Sequence, residues 1–207
     1  MKSEQRTVLG VNVIIVGTVR GLVSESELIT NFLKNQKKLD VIFIGISPEE
    51  LEGMIKYLEQ PFETDLSDYE LLYGLKLKEF GKVKMPIPSY VTVIEYSRSK
   101  NIGLIAIDLD EKMYNKKFTE EVSTLDLLRY SYRKEHIWNR QYDLSSPENF
   151  AISWDKEITK LKGYKKLELF REQNFADRIK ELITANKYGN VLVVMEIERM
   201  TGTLQHL

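Results

Sequence analysis

Four short runs of apolar, mostly β-branched residues constrain the fold of this chain most tightly. They are Val11-Asn12-Val13-Ile14-Ile15-Val16, Val41-Ile42-Phe43-Ile44, Ile102-Gly103-Leu104-Ile105-Ala106-Ile107 and Val191-Leu192-Val193-Val194. Their hydrophobicity is continuous rather than alternating, as expected of strands covered on both faces. The expected fold is therefore α/β, a layered sandwich with a mainly parallel or mixed central sheet and helices on both faces. None of the runs approaches the roughly 20 residues that a membrane-crossing helix requires. Met1-Lys2 followed by Val8 to Val19 imitates a secretory signal, but Asn12 interrupts it and no small-x-small site follows, so it reads as a first strand.

Helix signals lie between the runs. Ser24-Glu25-Ser26-Glu27 has the spacing of a capping box, with a helix running to about Asn35. Ser47-Pro48-Glu49-Glu50 repeats the device with proline at the first helical position. Strand, helix, strand, helix with short connections is a βαβ pattern, which makes its two strands parallel. The stretch from Leu66 to Phe80 has mixed helical spacing, and Pro88 opens a helix reaching Lys100. From Thr119 to about Lys187 the sequence reads as a long helical excursion, broken at Leu144-Ser145-Ser146-Pro147 and at Gly163. No repeat or Gly/Ser-rich linker divides the 207 residues, so one domain is expected.

Composition removes whole classes of chemistry. The absence of cysteine excludes disulfides, thiolate nucleophiles and sulfur-based zinc sites, and two distant histidines cannot build a histidine-rich metal site. Thirty Lys and Arg against 31 Asp and Glu leave no global field to attract nucleic acid or an anionic membrane, and a cytoplasmic chain is expected. Tyr130, Tyr132, Trp138 and Tyr142 interleaved with Arg129, Arg133 and Arg140 read as a helix with one core and one solvated face rather than a nucleic-acid platform. His136 in that stretch has no nameable catalytic partner. No Gly-x-Ser-x-Gly elbow supports a serine hydrolase, and Gly17-Thr18-Val19-Arg20-Gly21 is neither a Walker loop nor a dinucleotide fingerprint. No cofactor is expected.

Three ordered segments resemble the TraB/PrgY family, related to the GumN and Tiki groups. Val16-Gly17-Thr18-Val19-Arg20 is similar to the family's opening strand and Gly-Thr-x-His turn. Asp40 to Leu51 is similar to its Asp-Val-(apolar)-Glu-Leu-x-Pro strand, and Arg171-Glu172-Gln173-Asn174-Phe175-Ala176 to its Arg-Glu-x-x-Met-Ala helix. Ala106-Ile107-Asp108 and Val193-Val194 with Gly202 add weaker matches. The resemblance implies an erythromycin-esterase-like fold, and the Tiki branch implies metal-dependent proteolysis by two Gly-x-x-His turns and an acidic residue. This chain departs at each of those positions. Arg20 and Arg199 stand where the histidines would, Glu196-Ile197-Glu198 replaces Gly-x-Gly, and the glutamate position falls at Gly45. Guanidinium has no lone pair to donate, so the implied metal site would be lost.

Ligands collect at the carboxyl edge of an open α/β sheet, where Arg20, Ser47, Asp108, Asp110, Glu196, Glu198 and Arg199 should lie. Three arrangements are open. Arg20 and Arg199 would clamp a small anion or peptide carboxylate, aided by Gly17, Thr18 and the helix starts at Ser24 and Ser47. Alternatively, they would pair with the carboxylates in an internal ion-pair network. In the third, Asp108, Asp110, Glu196 and Glu198 would ligate Mg²⁺ or Ca²⁺, against the repulsion of the arginines. Arg171 and Glu172 either join the site, as the resemblance implies, or form an exposed helical turn. The leading expectation is a non-catalytic binding or regulatory protein, and the alternative is a hydrolase with a rebuilt site.

Overall fold

The computed structural model describes residues 1–36, 38–62 and 65–207. Five strands, β1 (Lys2–Val8), β2 (Val11–Thr18), β3 (Val41–Ile44), β4 (Gly103–Ala106) and β5 (Asn190–Glu196), form one sheet in the order β1-β2-β5-β3-β4. β2, β5, β3 and β4 run parallel, and β1 closes one edge antiparallel to β2. The sheet is therefore mixed. The last strand inserts between the first two of the apolar runs, so β5 is the central strand although it comes last in sequence. The helices are α1 (Ser24–Lys34), α2 (Pro48–Glu59), α3 (Asp68–Leu77), α4 (Pro88–Lys100), α5 (Glu111–Glu121), α6 (Thr124–His136), α7 (Pro147–Thr159), α8 (Lys162–Ala185) and α9 (Ile197–His206).

Strand side chains alternate between faces, and the two halves of the core follow that alternation. Val13, Ile15, Phe43, Val191, Val193 and Met195 face one side, under Leu77 of α3, Trp154 of α7, Phe175 and Ile179 of α8 and Ile197 of α9. Val16, Ile42, Ile44, Leu192 and Val194 face the other, under Ile29 and Leu33 of α1, Met54 of α2 and Val93 and Ile94 of α4. Helices on both faces explain why these runs carry no polar alternation. Among the described residues no helix is long and apolar enough to cross a membrane.

Two local expectations are corrected. Ser24 does not cap α1. The N-cap is Val23, whose side chain caps nothing and whose φ −66°, ψ −35° is already helical. The reason is an upstream tether: Leu22 bridges Val83, and Val23 N–H donates to the Lys82 carbonyl at 2.9 Å. Glu25 is instead buried and accepts the Met1 ammonium at 2.9 Å. The second correction is β1, whose polar sequence carries no strand signal and which forms only because β2 offers it an edge. Ser47 caps α2 as its spacing predicts, accepting from Glu50 N–H at 3.1 Å, but the Glu50 side chain does not return the bond. The helical excursion begins at Glu111 rather than Thr119 and breaks at Val122–Ser123, where no break was expected and Ser123 caps α6; it then breaks before Pro147 as expected and again at Leu161, which places Gly163 in the first turn of α8.

Candidate functional site

The register of β2 on β5 sets Thr18 beside Glu196, so Arg20, just past β2, meets the β5–α9 junction. The Glu196 carboxylate lies between the two arginines singled out in the sequence. Its Oε1 is 3.6 Å from Arg20 Nε and its Oε2 is 3.9 Å from Arg199 Nε. Arg199 also pairs with Glu168 of α8 and reaches Asp155 of α7 at 3.8 Å. Glu168 in turn accepts from Arg171 at 3.2 Å, and Arg171 pairs with Asp108 beyond β4. Charges of alternating sign thus run from Arg20 through Glu196, Arg199, Glu168 and Arg171 to Asp108, tying β2, β5, α9, α8 and β4 together at one sheet edge.

A cleft of about 270 Å³ opens over this chain of charges, walled by Tyr69 and Tyr73 of α3, Tyr114 of α5, Tyr130 of α6, Trp154 of α7 and Tyr164 of α8. Tyr130 stacks on Tyr164 with ring centroids 5.2 Å apart, and Tyr69 tilts against Trp154 at 5.6 Å. Two of the arginines are backed by a ring, Arg20 over Tyr73 at 5.2 Å and Arg171 over Tyr114 at 5.8 Å. A quadrupole face and a guanidinium attract each other, which holds the donors in place without consuming them.

The cleft also concentrates incomplete hydrogen bonding. Of seven buried side-chain polar atoms without a partner among the described residues, four belong to cleft residues: Tyr73 Oη, Trp154 Nε1, Glu198 Oε2 and Arg199 Nε. Buried polar groups are normally satisfied, so such a concentration needs a reason. Arg20 adds to it, because the nearest carboxylate oxygen stands at 3.6 Å, beyond hydrogen-bonding distance.

Electrostatics separates the carboxylates. Burial, with Glu196 and Asp155 nearby, pushes Glu198 up to about 8, against the pull of Arg20. Glu50 at the start of α2 is pushed up to about 7 by the protein around it and by Glu196 and Asp108. Burial opposes the charge on Arg20, but Glu196 and Glu198 outweigh it and raise the guanidinium further. Arg171 behaves likewise against Asp108. Glu198 is therefore the carboxyl of the cleft pushed furthest toward its protonated form, in a space that also holds three guanidinium groups.

The remaining expected residues lie elsewhere. Gly17 packs beneath α9, where an added Cβ would stand 2.6 Å from Ile197 Cδ1. The buried Thr18 hydroxyl is engaged with Ser89 at 3.0 Å. Ser47 caps α2 outside the cleft, and Asp110 caps α5 by accepting from Met113 N–H at 2.7 Å. Glu172 lies against Gly202 of α9, and burial, with Asp155, pushes its carboxyl up to about 7. Gly45 follows β3, where an added Cβ would stand 2.7 Å from Met195 Cβ, so a glutamate cannot replace it without moving β5. His136 is half-buried on α6, its Nδ1 2.8 Å from the Tyr132 carbonyl. The aromatic stripe divides, with Tyr130 entering the cleft and Tyr132 left exposed. Among the described residues no three His, Asp or Glu side chains gather closely enough to hold a metal ion.

Sequence reasoning missed most of the aromatic wall, together with Asp155 and Glu168. A signal was present: Tyr69 and Tyr73 are four apart, and Tyr164, Glu168 and Arg171 are spaced four and three, each set on one helical face. The chain matches no protein-family model, and no curated protein matches it.

Proposed function

We propose that this chain is a binding module for a small, acceptor-rich anion or a peptide carboxylate seated in the tyrosine-walled cleft, without catalysis of its own. The observation that supports this reading is that buried donors without acceptors, Trp154 Nε1 and Arg199 Nε, and the Arg20 guanidinium, whose nearest carboxylate oxygen stands at 3.6 Å, all belong to residues lining one cleft. An anion supplies the acceptors they lack, and the Glu196 carboxylate between Arg20 and Arg199 marks where such a group is stable. Descent from a TraB/PrgY-like, erythromycin-esterase-like ancestor in the cytoplasm is part of this proposal. Its support is that the two arginines at the family's histidine positions face each other across a single carboxylate.

A second reading, a hydrolase with a rebuilt site, is favoured by one observation: burial and neighbouring carboxylates push Glu198 toward its protonated form while Glu196, two residues away, pairs with arginines, and such a split suits acid and base roles. Calorimetric titration with inorganic phosphate and with a dipeptide tests the binding reading. Arg20→Ala is expected to weaken the bound anion about 10- to 100-fold, the worth of hydrogen bonds to a charged group. Equal affinity in wild type and variant would remove Arg20 from the site. Peptide or ester turnover that disappears in Glu198→Gln would instead establish the hydrolase.

A further inference from the structure

A second cavity, of about 200 Å³, shares Arg20, Glu70 and Tyr73 with the cleft, but the rest of its wall is chiefly aliphatic: Leu66, Leu71 and Leu75 on one side, Val83 and Met85 on the other. Leu71 and Leu75 stand one turn apart on α3, and each is 49% exposed, an unusual state for two leucines facing the same hollow. The opposite wall is braced. Lys84 N–H donates to the Gly21 carbonyl at 2.9 Å, Val23 N–H to the Lys82 carbonyl at 2.9 Å, and Leu22 bridges Val83. Arg20, Lys78 and Lys84 surround this apolar space, and among the described residues Glu70 is the one carboxylate lining it, so the described fringe is cationic.

An apolar hollow of this size, too small for a peptide segment or a two-chain lipid and fringed by cations, complements one flexible chain ending in a negative charge. Building on the reading of Arg20 as an anion receptor, we infer that the ligand is a medium-chain aliphatic carboxylate. Its head meets Arg20 at the boundary of the two spaces, and its chain fills the cavity between α3 and the segment at Val83–Met85. Lys78 and Lys84 steer the charge, and the leucines become covered.

The test is NMR titration of the full chain with acetate, hexanoate, octanoate and 1-octanol, and with inorganic phosphate as a head-group control. Affinity is expected to rise about fourfold with each added methylene until the cavity fills, and octanoate should bind far more tightly than 1-octanol. Leu71→Gln with Leu75→Gln, at half-exposed positions that leave folding intact, should abolish the dependence on chain length and leave acetate binding unchanged. Acetate and octanoate binding equally well would overturn the aliphatic tail while the anion-binding reading stands. Equal binding of octanoate and 1-octanol would overturn the carboxylate head. If neither phosphate nor any carboxylate binds, the anion-binding reading fails and this inference fails with it.

Discussion

Arg20 and Glu198 show how far a single residue's environment departs from its chemistry in water. Both sit where protein replaces solvent, yet the guanidinium stays charged because carboxylates surround it, whereas Glu198 gives up its charge because Glu196 and Asp155 already occupy the same space. Folding raises the Glu198 pKa from an ordinary 4.5 to about 8. Its contribution to stability is therefore complete below the ordinary value and is lost as pH rises through about 8. Glu172, near 7, acts in the same direction. The thermal midpoint should fall between pH 5 and pH 9. Glu198→Gln cannot ionise, so its curve should coincide with wild type near pH 5 and lie above it at pH 9. Parallel curves across that range would show that Glu198 does not titrate abnormally. That the two arginines share one site was legible from strand ends, because parallel strands deliver their carboxyl ends to one edge. Glu196, at the end of the neighbouring strand, was legible as their shared partner in the same way, but Asp155 and Glu168 were not, because they arrive from helices more than a hundred residues beyond Arg20.

At the scale of the element, tight approaches decide more than propensity. The β1–β2 hairpin turns on Leu9 and Gly10, with φ of 50° and 83°, a two-residue loop with positive φ at both positions. Leucine tolerates that region poorly and Leu9 is exposed, so Leu9→Asn should stabilise the chain by about 0.5–2 kcal/mol in urea denaturation. Gly163 serves a different purpose. A Cβ there would stand 2.5 Å from the Glu121 carbonyl oxygen and 2.9 Å from Val122 Cα. The glycine therefore lets the start of α8 pass close to the end of α5. Gly163→Ala should cost about 1–3 kcal/mol, read from the same denaturation curves, because backbone must move to admit it. The sequence marked Gly163 as a break, but only the packing shows that it is needed for an approach between helices.

Across the whole molecule, the helical excursion is fastened to the sheet edge by the same charges that floor the cleft. Arg171 holds α8 to Asp108 beyond β4, and through Glu168 to Arg199. Removing one member of such a buried set leaves its partners uncompensated. Arg171→Met is therefore expected to destabilise the chain by about 3–5 kcal/mol, measured by thermal or urea unfolding, and a loss under 1 kcal/mol would show the network to be solvent-screened. The sequence alone determined the layered α/β architecture, since runs such as Val41-Ile42-Phe43-Ile44 can be buried on both faces only inside a sheet sandwiched by helices. It also determined which residues cap α2 and start α4, because caps and first-turn prolines act within one turn of chain. Tertiary structure alone decided that β5 would lie at the centre, that a polar segment would become β1, and that tyrosines from α3, α5, α6 and α8 would enclose the cleft. These depend on contacts between segments far apart in the chain, and the free energy of such a contact is set by its neighbours in space, which local pattern does not encode.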